Sequence, residues 1–386
     1  MSEDHHQLLG GISPTEFLQK YWQKKPCLIR QAIPGFSSFI SRQELLQLAA
    51  DDTVESRIVL EKDGEYPWQV MHGPLDASIV SMLPASHWTL LVQGVNYHDP
   101  QAAELLQQFS FIPAWRIDDL MISYAPDQGS VGPHLDSYDV FLLQALGRRH
   151  WRISTQDYTE ADFSAEADLR IIEHFTPEVE WELEPGDMLY LPPGVAHHGI
   201  ARGECMTYSI GLRAPTRHEL LSQYLEDKYD PAGDIQYSDP DLEVPQHRGE
   251  IQIHNLDRIR EMMRSALADP DDIDNWFGCY ITAPPEQLGL VNPPAPVDEA
   301  GFKKLLSRGG QLQLHYAYRA AFSRFNGEIR LYVNGSAYRI PGSCRDLVTD
   351  ITGFMPIDCS TLGPDVPLDC IQVLYDLYNK GILISR

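Results

Sequence analysis

The stretch Glu184-Pro185-Gly186-Asp187-Met188-Leu189-Tyr190-Leu191-Pro192-Pro193-Gly194-Val195-Ala196-His197-His198-Gly199 decides how this chain is read. Glu184 to Asp187 has the composition of a turn, and Met188 to Leu191 that of a short buried strand. Pro192-Pro193-Gly194 then redirects the backbone, so that His197 can point into whatever the strand encloses. The spacing is G-x5-P-x-G-x2-H, with all four defined positions filled. His198 comes directly after and, on extended backbone, faces the opposite side.

Outward from this stretch the texture stays β-rich. From about Ile58 to Arg213, runs such as WTLLVQGV, DDLMISYAP, YDVFLLQALG, HWRIST and MTYSIGLRAP are separated by Gly, Pro and Asp. Strands at this spacing, with no helix between each pair, predict an antiparallel sandwich or barrel and exclude a doubly wound sheet. Two helix starts precede it. In Ser13-Pro14-Thr15-Glu16, and again in Ser41-Arg42-Gln43-Glu44, a serine cap is followed three places later by a glutamate that can close a capping box. After Pro215, HELLSQYLEDKYD and LDRIREMMRSALAD carry apolar residues at helical spacing. A proline-dense stretch from Pro284 to Pro296 reads as a linker, and EIRLYVNGSAYRIP as a hairpin turning at Asn334-Gly335. Two short helical patterns and a final strand, GILISR, complete a small α+β module.

Composition narrows the partners. In 386 residues there are 30 basic and 55 acidic side chains, a net charge of −25. Such a surface repels phosphate backbones and anionic lipid, which argues against nucleic acid or membrane as the primary partner and favours a basic protein. Solubility alone also accounts for such a charge. The opening MSEDHHQLLG lacks the basic start and apolar run of a signal peptide, and no stretch approaches the ~20 apolar residues of a spanning helix. The six cysteines contain no C-x-x-C pair, so reduced thiols in a cytoplasmic protein are expected, and the sequon at Asn334 then meets no glycosylation machinery.

Chemistry concentrates in three places. His134-Leu135-Asp136, placed on a strand, projects its histidine and carboxylate to one side, where both can grip a metal. The triplet alone is weak, because 14 histidines and 55 acidic residues give about two such pairs by chance. The G-x5-P-x-G-x2-H register, which is the second cupin motif, adds His197. Two histidines and one carboxylate leave open positions on the metal, the arrangement of Fe(II) oxygenases that take a 2-oxo acid and O2. Structural zinc would need a fourth protein ligand, and the sequence offers no obvious one. Arg149 shares parity with Trp151, whose ring belongs in the core, so Arg149 is expected to face inward and clamp a carboxylate.

On the stretches WRIDDLMISY (115–124), VGPHLDSYDVFLLQALGRRHWRI (131–153) and EPGDMLYLPPGVAHHG (184–199), the sequence resembles the JmjC-type, cupin-like Fe(II)/2-oxoglutarate oxygenases. Within them it resembles the bacterial ribosomal oxygenases, over nearly the whole chain. That resemblance implies an α+β protein with a double-stranded β-helix (jelly-roll) catalytic domain over residues 1–214. It further implies a helical dimerisation region and linker over 215–296, a winged-helix module over 297–386, and a homodimer. It also implies hydroxylation, at Cβ, of an arginine in a basic large-subunit ribosomal protein, the one numbered sixteen.

Carried over residue by residue, the resemblance makes His134, Asp136 and His197 the iron ligands and Arg149 the partner of the 2-oxoglutarate distal carboxylate. Asp119 and Tyr138 would hold the substrate guanidinium, with Met121 and Ser123 sharing Asp119's strand parity and facing the same pocket. The sequence departs from a near relative's Ser-Val at Ala125-Pro126, and Ser123 is the expected substitute for that serine's bond to the cosubstrate. Two rival readings use the same residues differently: a JmjC N-methyl demethylase, and a non-catalytic cupin acting as an interaction module. The second gives no reason to keep three ligands together with Arg149.

Overall fold

The computed structural model describes residues 8–61, 68–164, 169–229, 235–241, 251–284, 295–325, 327–362 and 366–385. Helix α1 (Pro14–Lys20), strand β1 (Cys27–Ile29) and helix α2 (Arg42–Ala49) come first. The sheet region follows with β2 (Ser56–Glu61), β3 (Trp68–His72), α3 (Ala77–Ser81), β4 (Trp88–Val92), α4 (Pro100–Gln107), β5 (Ile117–Ala125), β6 (Asp139–Ser154), β7 (Val179–Leu183), β8 (Met188–Leu191) and β9 (Ala196–Leu212). These nine strands form one sheet in the order β1-β8-β6-β9-β5-β4-β2-β3, with β7 beside β6, and every pairing is antiparallel.

Two long strands set the shape. β6 and β9 pair from Asp139 opposite Leu212 to Ser154 opposite Ala196. Register shifts on either side of Leu146 bend the ladder, as an extra residue does in an antiparallel pair. Gly147 sits at the bend with φ +61°, where a Cβ would lie 2.0 Å from the Glu204 carbonyl oxygen. The near half of β6, Val140–Leu143, pairs with β8, and the far half, Arg149–Ile153, pairs with β7. Alternation then sorts the side chains. Phe141 and Leu143 enter the main core with Phe17, Leu45, Phe109, Tyr190 and Tyr208, under the N-terminal helices. Val140 and Leu142 turn the other way, toward Trp151, Leu189 and a cavity inside the curved sheet.

Helix starts follow their caps, with one difference from expectation. The Ser41–Glu44 capping box is complete. Ser13 accepts from the Glu16 backbone N–H, but the Glu16 carboxylate does not reach back; it takes Lys20 Nζ at 2.8 Å instead. A lysine one turn along competes for the same oxygens.

The C-terminal half contains α5 (Arg217–Asp227), α6 (Ile253–Ser265), α7 (Pro270–Thr282), α8 (Glu299–Ser307), β10 (Gln311–Leu314), β11 (Ala320–Phe325), β12 (Glu328–Val333), β13 (Ser336–Pro341), α9 (Arg345–Thr352), β14 (Ile357–Asp358), α10 (Leu368–Asn379) and β15 (Leu383–Ser385). They include two three-stranded sheets, β14-β10-β15 and β11-β12-β13. Asn334 and Gly335 both take positive φ between paired Val333 and Ser336, which is the two-residue hairpin turn of this dipeptide. Helix α7 lies on the second sheet. Gly278 permits this contact, because a Cβ there would stand 2.3 Å from the Tyr332 ring. Of the proline-dense linker, residues 285–294 lie outside those described.

The expectation of six reduced thiols requires a correction. Cys344 and Cys370, 26 residues apart, form a disulfide, while Cys27, Cys205, Cys279 and Cys359 are free. Packing of the start of α10 against the segment before α9 creates the pair, and that contact has no signature in cysteine spacing.

Candidate active site

His134 is not within a regular strand, as the sequence pattern had suggested. It forms an isolated antiparallel bridge with His197: His134 N–H donates to the His197 carbonyl (3.0 Å) and His197 N–H to that of His134 (2.8 Å). The Gly194 N–H donates to the Asp136 carbonyl at 2.8 Å, which ties the turn of the decisive stretch to the His-x-Asp segment. The side chains converge as a result. His134 Nε2 lies 4.0 Å from Asp136 Oδ1, and His197 Nε2 lies 3.7 Å from Asp136 Oδ2. One potential ligand atom from each residue falls within 4.8 Å of the others, and no further His, Cys, Asp or Glu joins this group among the described residues.

The outer nitrogens fix the tautomers. His134 Nδ1 donates to the Gly132 carbonyl (2.9 Å) and His197 Nδ1 to the Val195 carbonyl (3.0 Å). Both Nε2 lone pairs therefore point at the common centre, as in metal-binding histidines with oriented rings. His197 is 3% exposed, and burial, followed by the nearby His134, holds it well below its ordinary pKa and neutral. Two imidazoles with their Nε2 atoms turned inward, together with a carboxylate, suit a divalent metal that takes mixed N/O ligands.

Arg149 lies farther along the same cavity. It is 5% exposed, its guanidinium is 5.6 Å from the Trp151 ring centroid, and Nη1 reaches Ser123 Oγ at 3.5 Å. Its Nε is buried without a partner. Among the described residues no carboxylate pairs with it. A buried, uncompensated guanidinium is costly, and an anion of the right length would satisfy it. The donor set, with the His134–Asp136–His197 cluster and Arg149 in one cavity, therefore fits a metal together with a 2-oxo dicarboxylic acid.

Asp119, Met121 and Tyr138 line the same cavity, whose volume is about 950 Å³. Asp119 Oδ2 accepts from Gly94 N–H at 2.8 Å. Burial and the neighbouring Asp118 push its pKa up to about 6, against the opposing pull of Gly94 and Arg319. Tyr138 is 41% exposed and stands where the ring can cover an entering side chain. The cavity also contains Thr207, Ser209 and Gly211 from β9, and Asp118 beside Asp119. Sequence reasoning missed these. The β9 residues share parity with His197 and were accessible from alternation alone, whereas Asp118 enters through a bulge that parity conceals. Glu219, Asp227 and Trp276 bring α5 and α7 to its wall, a tertiary arrangement without a local signal.

Residues 104–220 match the JmjC domain family, and residues 265–384 the ROXA-like winged helix family. The chain is 39% identical over 296 residues to the ribosomal protein uL16 3-hydroxylase of Escherichia coli K12, covering 76% of this chain and 78% of that protein. It is 34% identical over 272 residues to a probable ribosomal oxygenase of Haemophilus influenzae, covering 69% and 67% of the two chains. The solved structure of the E. coli ribosomal oxygenase YcfD with cobalt and 2-oxoglutarate superposes with a TM-score of 0.80 at 33% identity, over 96% of this chain and 98% of that one.

His198 provides a test of the packing behind the site. Its ring meets Phe175 edge-on at 6.2 Å, and its Nδ1 is buried without a partner. Burial and then Arg152 hold its pKa down to about 3. The unfolded chain takes up this proton near pH 6.5 and the folded chain does not until far lower, so between the two values stability rises with pH and is lost on acidification. Urea unfolding of the metal-free protein at about pH 7 and about pH 5 should show wild type losing roughly 1–2 kcal/mol more than His198→Gln. Equal losses in both proteins would place His198 in contact with water.

Proposed function

This chain belongs to the JmjC-domain ribosomal oxygenases, and on that premise we propose that it hydroxylates an arginyl side chain of a large-subunit ribosomal protein, using Fe(II), 2-oxoglutarate and O2. The observation that carries the proposal is the sharing of one cavity by two histidines, a carboxylate and the buried, unpaired Arg149. Likeness to the uL16 3-hydroxylase supplies the target class and the expected position, Cβ.

In this reading His134, Asp136 and His197 hold the iron. Arg149 holds the distal carboxylate of 2-oxoglutarate, with Ser123 Oγ beside it. Iron, cosubstrate and O2 together supply the oxidising equivalents for C–H hydroxylation, leaving succinate and CO2. The protein contributes binding, orientation and exclusion of water. Val140, Leu142, Leu169 and Ile171 give the cavity apolar walls. Asp119 presents an oxygen to the substrate guanidinium, whose planar donors match a carboxylate better than an ammonium does. The Tyr138 ring and Met121 then confine the methylene chain, so that distance to the metal selects the carbon. A non-catalytic cupin leaves Arg149 buried without purpose, which counts against that rival.

Three further assignments belong to the same reading. The first is a homodimer. Helix α6 buries none of its described residues yet presents Ile253, Ile259 and Met263, with Leu267 just beyond. The second is cytoplasmic location, which follows from a ribosomal substrate; no helix among the described residues is long and apolar enough to cross a membrane. The third is a basic protein as the partner, with nucleic acid disfavoured by the charge of −25.

The functional test is mass spectrometry of large-subunit ribosomal proteins incubated with wild type or with His134→Ala, Asp136→Ala or His197→Ala. One arginine should gain a single oxygen with wild type only, whereas loss of methyl groups would identify a demethylase. His198→Ala should keep both cobalt binding and at least about a tenth of the activity. Arg149→Ala should raise the KM for 2-oxoglutarate by about a hundredfold or more, the cost of leaving a buried charge unpaired, with a much smaller effect on the protein substrate. An unchanged cosubstrate requirement would remove Arg149 from the site. By light scattering, wild type should have the mass of two chains and Ile259→Glu/Met263→Glu that of one; a monomeric wild type defeats the dimer assignment.

A further inference from the structure

Strand β5 pairs with β9 at Ile117–Leu212 and next at Leu120–Ile210. Asp118 and Asp119 are thus opposed by Gly211 alone, a bulge that leaves both residues on the wall of the active-site cavity. The peptide linking them is planar, so whatever fixes the Asp118 carbonyl also fixes the Asp119 N–H and the position of its Cα, from which the side chain departs toward the Gly94 N–H. That carbonyl accepts Arg319 Nη2 at 2.6 Å and Tyr97 Oη at 3.2 Å. The Asp118 carboxylate accepts the same Nη2 at 2.8 Å and Arg213 Nε at 2.8 Å. Arg319 Nη2 also meets the Tyr97 hydroxyl, and its guanidinium lies 5.5 Å from that ring.

Arg319 does not belong to the sheet that carries the bulge. It stands between β10 and β11, in the winged-helix part of the chain. Its other amino group, Nη1, is buried without a partner. An unmade buried hydrogen bond is a cost, so the contacts of Nη2 are what sustain this placement. Arg213 comes from the end of the catalytic sheet and reaches the Ile281 carbonyl of α7 at 3.1 Å. Two arginines thereby compensate Asp118, while Asp119, among the described residues, accepts one hydrogen bond, at Oδ2 from Gly94 N–H.

We propose that Arg319 is a positioning residue for arginine recognition: by holding the Asp118 carbonyl and carboxylate, the winged-helix module aims Asp119 into the active-site cavity. The proposal rests on the reading of Asp119 as the acceptor of the substrate guanidinium. It gives the C-terminal module a part in catalysis without any contact between Arg319 and substrate, cosubstrate or metal.

The test uses full-length enzyme, an arginine-containing peptide that wild type hydroxylates, and the same peptide with lysine in place of that arginine. Arg319→Gln should raise the peptide KM about tenfold and reduce the preference for arginine over lysine, while the KM for 2-oxoglutarate stays within about twofold. Arg319→Lys should recover part of the loss, because one nitrogen makes all three contacts and an ammonium can take its place, but from a shorter side chain and without a planar group over the Tyr97 ring. Added to Asp119→Asn, Arg319→Gln should cost little more, since the two act through one acceptor. A mere docking contact would lower Tm or kcat and add in full to Asp119→Asn. If Arg319→Gln does not fold, Tyr97→Phe tests the same carbonyl and should shift KM and preference in the same direction. Wild-type peptide KM and preference in Arg319→Gln, with both altered in Asp119→Asn, overturn the positioning role and leave the substrate reading intact. Unchanged values in Asp119→Asn, or no arginine hydroxylated by wild type, remove the substrate reading and this proposal with it.

Discussion

Two backbone hydrogen bonds between His134 and His197 are the constraint on which the site depends. The residues are far apart in the chain, and neither the His-x-Asp segment nor the Pro-Pro-Gly turn is regular structure of its own. Their reciprocal bridge, with the Gly194 bond to the Asp136 carbonyl, ties the His-x-Asp segment and the Pro-Pro-Gly turn to the start of β9. Each imidazole is then oriented by a carbonyl two residues before it, Gly132 for His134 and Val195 for His197. On the proposed role of His134, Asp136 and His197, metal geometry would follow from this backbone pairing together with side-chain packing.

Beyond the frame, the cavity is organised by unpaired charge. Arg149 is buried with Nε unsatisfied, and Asp119 accepts a single hydrogen bond, from Gly94 N–H, among the described residues. On the proposed reading, a site with an uncompensated cation at one place and an open carboxylate at another sorts its guests: a dicarboxylate is drawn to the first and a guanidinium to the second. Each would be destabilising if left empty in a dry interior, so the same groups that weaken the free protein provide the binding energy for its ligands. Trp151 stands between the functions, 5.8 Å from the His197 ring and 5.6 Å from the Arg149 guanidinium. Gly199 leaves the room for it, since a Cβ there would lie 2.7 Å from the indole.

Much of this was legible in the residues, and the limits have physical causes. The antiparallel sheet, the hairpin at Asn334-Gly335 and the turn-strand-turn from Glu184 to Gly194 are local, and turn chemistry with period-two alternation is enough to find them. Parity from Trp151 pointed Arg149 inward, where the structure places it. Parity from His197 would have found Thr207, Ser209 and Gly211 on the same face of β9. Alternation failed where the backbone departs from it: His134 sits on an isolated bridge, and the bulge at Asp118-Asp119 puts neighbours on one wall. The Cys344–Cys370 disulfide and the Asp118–Arg319 contact join segments whose meeting depends on tertiary packing, and no spacing rule reaches them.

The winged-helix module raises a last question, since such folds commonly read nucleic acid through exposed basic side chains. Here two of its arginines face inward on the protein itself: Arg319 on Asp118 of the catalytic sheet, and Arg330 on Asp271 of α7. Guanidinium groups so engaged are not available to phosphates, and a chain of net charge −25 opposes the approach of a polyanion to the rest. The same geometry makes a different use intelligible. A rigid module seated against the bulge adds fixed donors at the one place where β5 leaves regular pairing, and a bulge without such donors has several accessible peptide orientations. On the proposed role of Arg319, the module replaces that freedom with a single orientation of Asp119. Selectivity for an arginyl side chain would then depend on an element that lies outside the jelly roll.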